Sequence, residues 1–189
     1  MNTTVLQRGG DRHSHNMLKR AANYFSRALM STRMVNTLNL RIECRSSKLK
    51  SNISGLCKAK ANGSQSTKEF TVVLQRDDPW HTQVLTLAHE LVHVYQGAMG
   101  TLQYRQWKSD GQLHTRWAGK DLGACGTIPY RERPWEIEAF ALEETLFQAF
   151  LHHEMNSPEQ EALYREQLSK QLNDHMAIRR QSNSREPTP

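Results

Sequence analysis

Apolar residues recur at helical spacing in "NMLKRAANYFSRALM", where Leu18, Ala21, Ala22, Phe25, Ala28 and Leu29 share one stripe. The stripe predicts an amphipathic helix with a single face for a core. The period then changes. "TLNLRIEC" alternates Leu38, Leu40 and Ile42 with polar residues, as a half-buried strand does. "EFTVVLQR" is β-branched and apolar and reads as a core strand, and "SGLCKAKA" is a weaker strand. Between the last two, Asn62-Gly63 is a turn signal of the kind that joins hairpin strands.

A second helix is expected directly afterwards. Asp78 can cap it, Pro79 suits its first position, and Gly97 or Gly100 can end it. From Gly100 to Arg133 the pattern is irregular, too long for a structureless connection, so this segment is expected to be functional or to contain short strands. "RPWEIEAFALEETLFQAFLHHEM" predicts a third helix started by Pro134. A fourth follows, with Ser157 as cap, Pro158 inside and Gln160 reaching back, on a thin stripe of Tyr164, Leu168, Leu172 and Met176. The expected organisation is a flexible start over 1–15, one domain over 16–155, a C-terminal helix over 156–178 and a disordered tail over 179–189. The fold class is α+β, with a small, mostly antiparallel sheet beside a helix pair.

Composition narrows the setting. A chain of 189 residues suits one domain, and an apolar fraction of 37% leaves too little core to order every residue. Cys44, Cys57 and Cys125 are dispersed, with no C-x-x-C pair, which argues against a disulfide framework and against a cysteine zinc ribbon. The opening "MNTTVLQRGGDRHSHN" lacks the apolar core of a signal peptide, and no stretch is apolar enough to span a bilayer. A cytoplasmic protein with no membrane partner is therefore expected. The net charge of +6 leaves nucleic acid open as a partner, but Lys and Arg are spread along the chain, as on an ordinary solvated surface.

The candidate chemistry lies in "LAHELVHVYQG", residues 87–97. Residues four apart on a helix stand one turn apart on one face, so His89 and His93 can aim both imidazoles at one point. A tetrahedral zinc ion asks this of its first two ligands. Glu90 sits about 100° round the helix. From there its carboxylate can reach a water on the metal and act as general base without ligating. Val84, Leu87, Ala88, Leu91 and Tyr95 form an apolar side, while Thr82, Thr86, His89, His93 and Gln96 form a polar stripe. Thr86 and Gln96 are candidates to hold the histidine rings. The plainer reading is a buried helix with incidental polar residues.

A catalytic zinc site usually takes a third protein ligand and leaves one position open. Candidates downstream are His114, Glu136, Glu138, Glu143, Glu144, His152 and His153. Glu136 and Glu138 start the third helix, where the helix dipole alone would favour acids. Their spacing puts them on roughly opposite faces, so one at most can ligate. Tyr130, just before that helix, is a candidate donor to an oxyanion, against the plainer role of packing the helix start. Arg131 and Arg133 read as a solvated loop, and Trp107, Trp117 and Trp135 as core or groove walls.

"HELVH" followed by "EIEAFALE" resembles the gluzincin-type zinc metallopeptidases. Its E-x-E-A-x-x-A form is similar to the second motif of HtpX-like and ImmA/IrrE-type peptidases. The resemblance implies a zincin-like fold, Zn2+ as cofactor, a peptide or protein substrate and Glu136 as third ligand. The Asp or Asn that often stands four residues later is replaced by Phe140, which removes the usual partner of a ligand. The order of helix, strands and H-E-x-x-H helix also resembles SprT-like domains, which would make His114 the third ligand and suggest a protease recruited to DNA. "RWAGKD … YRERPWEIEAF" is similar to small phage-encoded metallopeptidase-like proteins. The resemblance covers residues 80–145. The rival class is a zinc-stabilised binding module without catalysis, in which Glu90 would have no task.

Overall fold

The computed structural model describes residues 1–7, 12–46, 54–59, 68–106, 113–124 and 126–184. Its principal sheet has four strands in the order β1-β2-β4-β3, formed by β1 (Asn2–Gln7), β2 (Asn39–Arg45), β3 (Gly55–Ala59) and β4 (Glu69–Gln75). β1 pairs with β2 and β2 with β4 in parallel, while β3 runs antiparallel to β4 along the edge. The protein is thus mixed α+β, but this sheet is not the mostly antiparallel one the pattern predicts. The cause is β1. It lies inside the segment expected to be flexible, and it turns the helix after it into a crossover, the connection that parallel strands require.

That crossover is α1 (Arg12–Leu29), followed by the short α2 (Thr32–Thr37). The predicted stripe of α1 faces the core: Leu18, Ala21, Ala22, Phe25 and Leu29 are buried. In β2 the alternation holds, with Leu40, Ile42 and Cys44 buried between exposed or half-buried neighbours. β3 and β4 pair from Gly55 opposite Leu74 to Ala59 opposite Phe70, the register of a hairpin; the Asn62-Gly63 turn lies outside the described residues.

α3 (Trp80–Ala98) carries the H-E-x-x-H sequence, buried from Leu87 through Val92. Asp78 does not cap it. Pro79 stands at the cap position, and the Gln83 side-chain amide reaches back to the carbonyls of Arg76 and Asp78, at 2.8 and 2.7 Å, to fix the turn. Gly100, at φ 71°, takes the left-handed conformation just beyond the helix end. The irregular stretch contains an antiparallel meander of β5 (Leu102–Gln106), β6 (Leu113–Trp117) and β7 (Lys120–Ala124). A 3-10 turn at Tyr130–Glu132 leads into α4 (Pro134–Glu154), with Pro134 in the first turn as expected.

α5 (Pro158–Ser184) runs beyond residue 178, through part of the predicted tail. It packs on α4, with Leu168 buried, and brings Arg179 inward. α4 in turn packs on α3, so the two helices with the candidate chemistry form the centre of a helical layer against the sheet. No helix among the described residues is long and apolar enough to cross a membrane.

Candidate metal centre

Three of the predicted side chains converge where α3 meets α4. His89 Nε2 lies 3.2 Å and His93 Nε2 3.3 Å from Glu136 Oε2. The two imidazole rings meet edge to face, with centroids 4.9 Å apart. One donor atom from each residue falls within 4.8 Å of the others, so the group could hold a metal ion. The helical spacing of four explains the two histidines. Glu136 joins them because Trp135, Ala139 and Leu142 are buried on α4, which turns its first turn toward α3.

The other nitrogen of each ring is engaged. His89 Nδ1 lies 2.7 Å from Glu143 Oε2, and His93 Nδ1 lies 2.8 Å from Gln96 Oε1. A hydrogen on each Nδ1, donated to those acceptors, would leave the Nε2 lone pair of a neutral ring for a metal at the shared point; without a metal, Nε2 carries hydrogen toward Glu136. Glu143, one of the candidate ligands, lies apart from the shared point and faces Nδ1 of His89 instead. Its place follows from periodicity. Glu136, Phe140 and Glu143 stand at i, i+4 and i+7 on one stripe, so the acceptor that Phe140 cannot supply comes one turn later. Phe140 packs its ring on His89, with centroids 4.9 Å apart.

Glu90 is buried beside the cluster and is not one of its donors. Burial, the largest influence, raises its pKa, while the charges of His93 and His89 oppose that rise. A hydrogen bond from the Cys57 backbone on β3 holds the carboxylate. Gly55, on the same face of β3, leaves room for it: a Cβ there would stand 2.7 Å from Glu90 Oε1. Local sequence gave no sign of these two contacts, because β3 meets α3 only through the tertiary fold. Thr86 points its methyl at Gly55 rather than standing behind a histidine ring.

Tyr130 hydrogen-bonds Glu136 and packs edge-on against Phe140, with centroids 6.1 Å apart. Burial and then the neighbouring carboxylates push its hydroxyl pKa up, so it keeps its proton. Glu136 shows the opposite net shift. Burial raises its pKa, but hydrogen bonds from His89 and His93 outweigh burial and hold it well below the usual carboxylate range.

The remaining candidates lie apart from the three donors. Glu138 faces away, toward Gln96 and Arg179. His114 is on β6, with Nδ1 3.6 Å from Asp121. His152 stacks on Tyr164 of α5, and His153 pairs with Glu161. Arg131 lies over Phe140, and Arg133 over Tyr130 and Trp135. Trp135 is fully buried and Trp117 packs near it, while Trp107 lies outside the described residues.

Comparison with models of protein families, with curated proteins and with solved structures returns no match to this chain.

Proposed function

We propose that the protein is a zinc-dependent metallopeptidase of gluzincin-like type, acting on peptide or protein substrates, with His89, His93 and Glu136 as ligands. The observation that carries the reading is the division of labour among three carboxylates. Glu136 meets both Nε2 atoms, Glu143 stands behind His89, and Glu90 lies beside the donors without joining them. A closed structural site has no use for a carboxylate in the last position.

The donor set fits zinc in kind and spacing. Atoms about 2.0–2.1 Å from a tetrahedral ion stand about 3.3 Å from one another. The two nitrogens stand 3.2 and 3.3 Å from Glu136 Oε2. A zinc ion held by three protein ligands lowers the pKa of water and polarises a carbonyl oxygen. Glu90 takes a proton on its carboxylate from the attacking water and returns it to the leaving amine. Tyr130, protonated and half-exposed, would turn its one O–H from Glu136 to the oxyanion side of the substrate. Gly55 and the Cys57 N–H keep Glu90 in place on the side of β3.

The test is Glu90→Gln in the full chain, assayed against unfolded casein. Retained zinc with cleavage reduced by about 10²–10⁴ supports the reading. Undiminished cleavage, or loss of zinc together with cleavage, would assign Glu90 another role.

A further inference from the structure

A second polar group lies behind the metal centre, on the side away from Glu90. Gln96 is fully buried, and its amide has three partners. Oε1 faces His93 Nδ1 at 2.8 Å, while Nε2 donates to the Trp135 carbonyl at 2.9 Å and to Glu138 Oε2 at 3.1 Å. Glu138 is 1% exposed, and both of its oxygens accept from Arg179 Nη2. Arg179 is itself enclosed. Its guanidinium lies 5.0 Å from the Trp117 ring centroid and 5.9 Å from that of Tyr95, and Nη1 reaches Thr101 Oγ1 at 3.4 Å.

The order of donors and acceptors along this chain is fixed from its far end. Arginine carries only donors, so the Glu138 oxygens must accept. A backbone carbonyl also can only accept. Two acceptors therefore face one end of the Gln96 amide, and that end must be the NH2. The amide oxygen is then committed to His93, whose Nδ1 must carry the hydrogen. With zinc bound, the Nε2 lone pair of His93 is then left for the point it shares with His89 and Glu136; without zinc, Nε2 carries hydrogen toward Glu136. Reversal of the amide would set its carbonyl oxygen against the Trp135 and Glu138 oxygens in a buried place, where opposed polar groups are costly.

We propose that Arg179 is a positioning residue for the metal ligand His93, acting through Glu138 and Gln96, so that the C-terminal helix is part of the metal centre. Arg179 touches neither substrate nor ligand. It clamps Glu138 as an acceptor, Glu138 orients the amide, and the amide selects the tautomer and angle of one imidazole. His89 is set independently by Glu143, so the effect of Arg179 belongs to one histidine of the pair. The inference rests on the proposal that His89, His93 and Glu136 hold zinc.

The test uses the full chain with ¹⁵N-labelled histidine, with and without zinc, as wild type, Arg179→Met, Arg179→Lys and Glu138→Gln. Zinc affinity is read by competition with a chelator, and each ring's tautomer from its nitrogen shifts. Arg179→Met is expected to weaken zinc binding about 10–100-fold, the usual effect of losing a partner behind a ligand. It should shift the His93 nitrogens while leaving those of His89 in place, and Arg179→Lys should restore much of both. Glu138→Gln keeps the side-chain shape, so it serves should Arg179→Met not fold, and it should give the same selective change at His93. Equal changes at both histidines would mean a merely structural role and overturn the proposal, as would no change at either. If the wild type takes up no zinc, the metal-centre reading fails by itself. The Arg179 claim is then decided on the metal-free protein, where the variants must still single out His93.

Discussion

Glu143 and Phe140 show how much depends on one helical turn. Phe140 stands one turn after Glu136 and offers no hydrogen-bond acceptor, yet its ring is used, packed on His89 and against Tyr130. The hydrogen-bond acceptor for His89 comes from Glu143, on the same stripe. This arrangement has a pH signature. Burial is the largest influence on metal-free His89 and pulls its pKa down, but hydrogen bonds to Glu136 and Glu143 outweigh it and hold the value at about 9. That exceeds the value of about 6.5 for an unfolded histidine. The proton on His89 therefore stabilises the metal-free fold fully below about pH 6.5, and this contribution is lost as pH rises through about 9. Zinc must displace the same proton, so its affinity should climb with pH up to about 9, with proton release on binding. Chelator competition across that range, corrected for the chelator's own protonation, measures the slope. A flat profile would mean that His89 is not a ligand.

At the scale of elements, β3 is the piece that ties the sheet to the chemistry. It is an edge strand, and its inward face offers Gly55 and Cys57 to Glu90. Gly55→Ala would press a methyl against both Thr86 and Glu90. Thr86 is β-branched on a buried helix and yields little, so Glu90 is expected to move. Zinc content should stay the same while turnover falls by about tenfold or more, since misplacing a catalytic group by about 1 Å costs up to about 10²-fold. Unchanged turnover in the zinc-loaded variant would separate β3 from the placement of Glu90.

The same elements show what the sequence could reveal. α3 was legible because its signal is local: His89, His93 and Gln96 share one stripe, and Val84, Leu87 and Leu91 another. Glu136 was legible only through a resemblance, since spacing alone left Glu138 and His114 open. β1 was not legible. Its ladder is backbone to backbone with β2, from Asn2 opposite Asn39 to Gln7 opposite Cys44, and such pairing leaves little mark on the side-chain pattern. Missing it hid one of the two parallel pairings; the other, β2 with β4, arises because β3 takes the outer edge of the sheet. Arg179 was assigned to a tail because the end of α5 is polar, and its partner, Glu138, lies on another helix.

Across the whole molecule, α3 is the hub. It packs on α1, α4 and the sheet, and its two polar ends of contact reach β3 on one side and Arg179 of α5 on the other. A metal joining α3 to α4 at this hub should stabilise the protein as a unit. Zinc at about a hundred times its dissociation constant contributes about 2.7 kcal/mol. For a chain of this length that corresponds to a thermal midpoint higher by roughly 5–10 °C. Calorimetry with zinc and with a chelator tests this, and Glu90→Gln should show the same difference because Glu90 is not a ligand. Equal midpoints in both conditions would contradict a metal shared between the helices.

The most direct measurement is the zinc content per chain of purified wild-type protein, Glu136→Ala and Glu138→Ala by mass spectrometry. The account predicts one equivalent in the wild type, a large loss in Glu136→Ala and, in Glu138→Ala, which lies behind His93 and not at the ion, only the smaller weakening that follows loss of a partner behind a ligand. A wild type without zinc, or a Glu136→Ala variant that keeps its full equivalent, would contradict it.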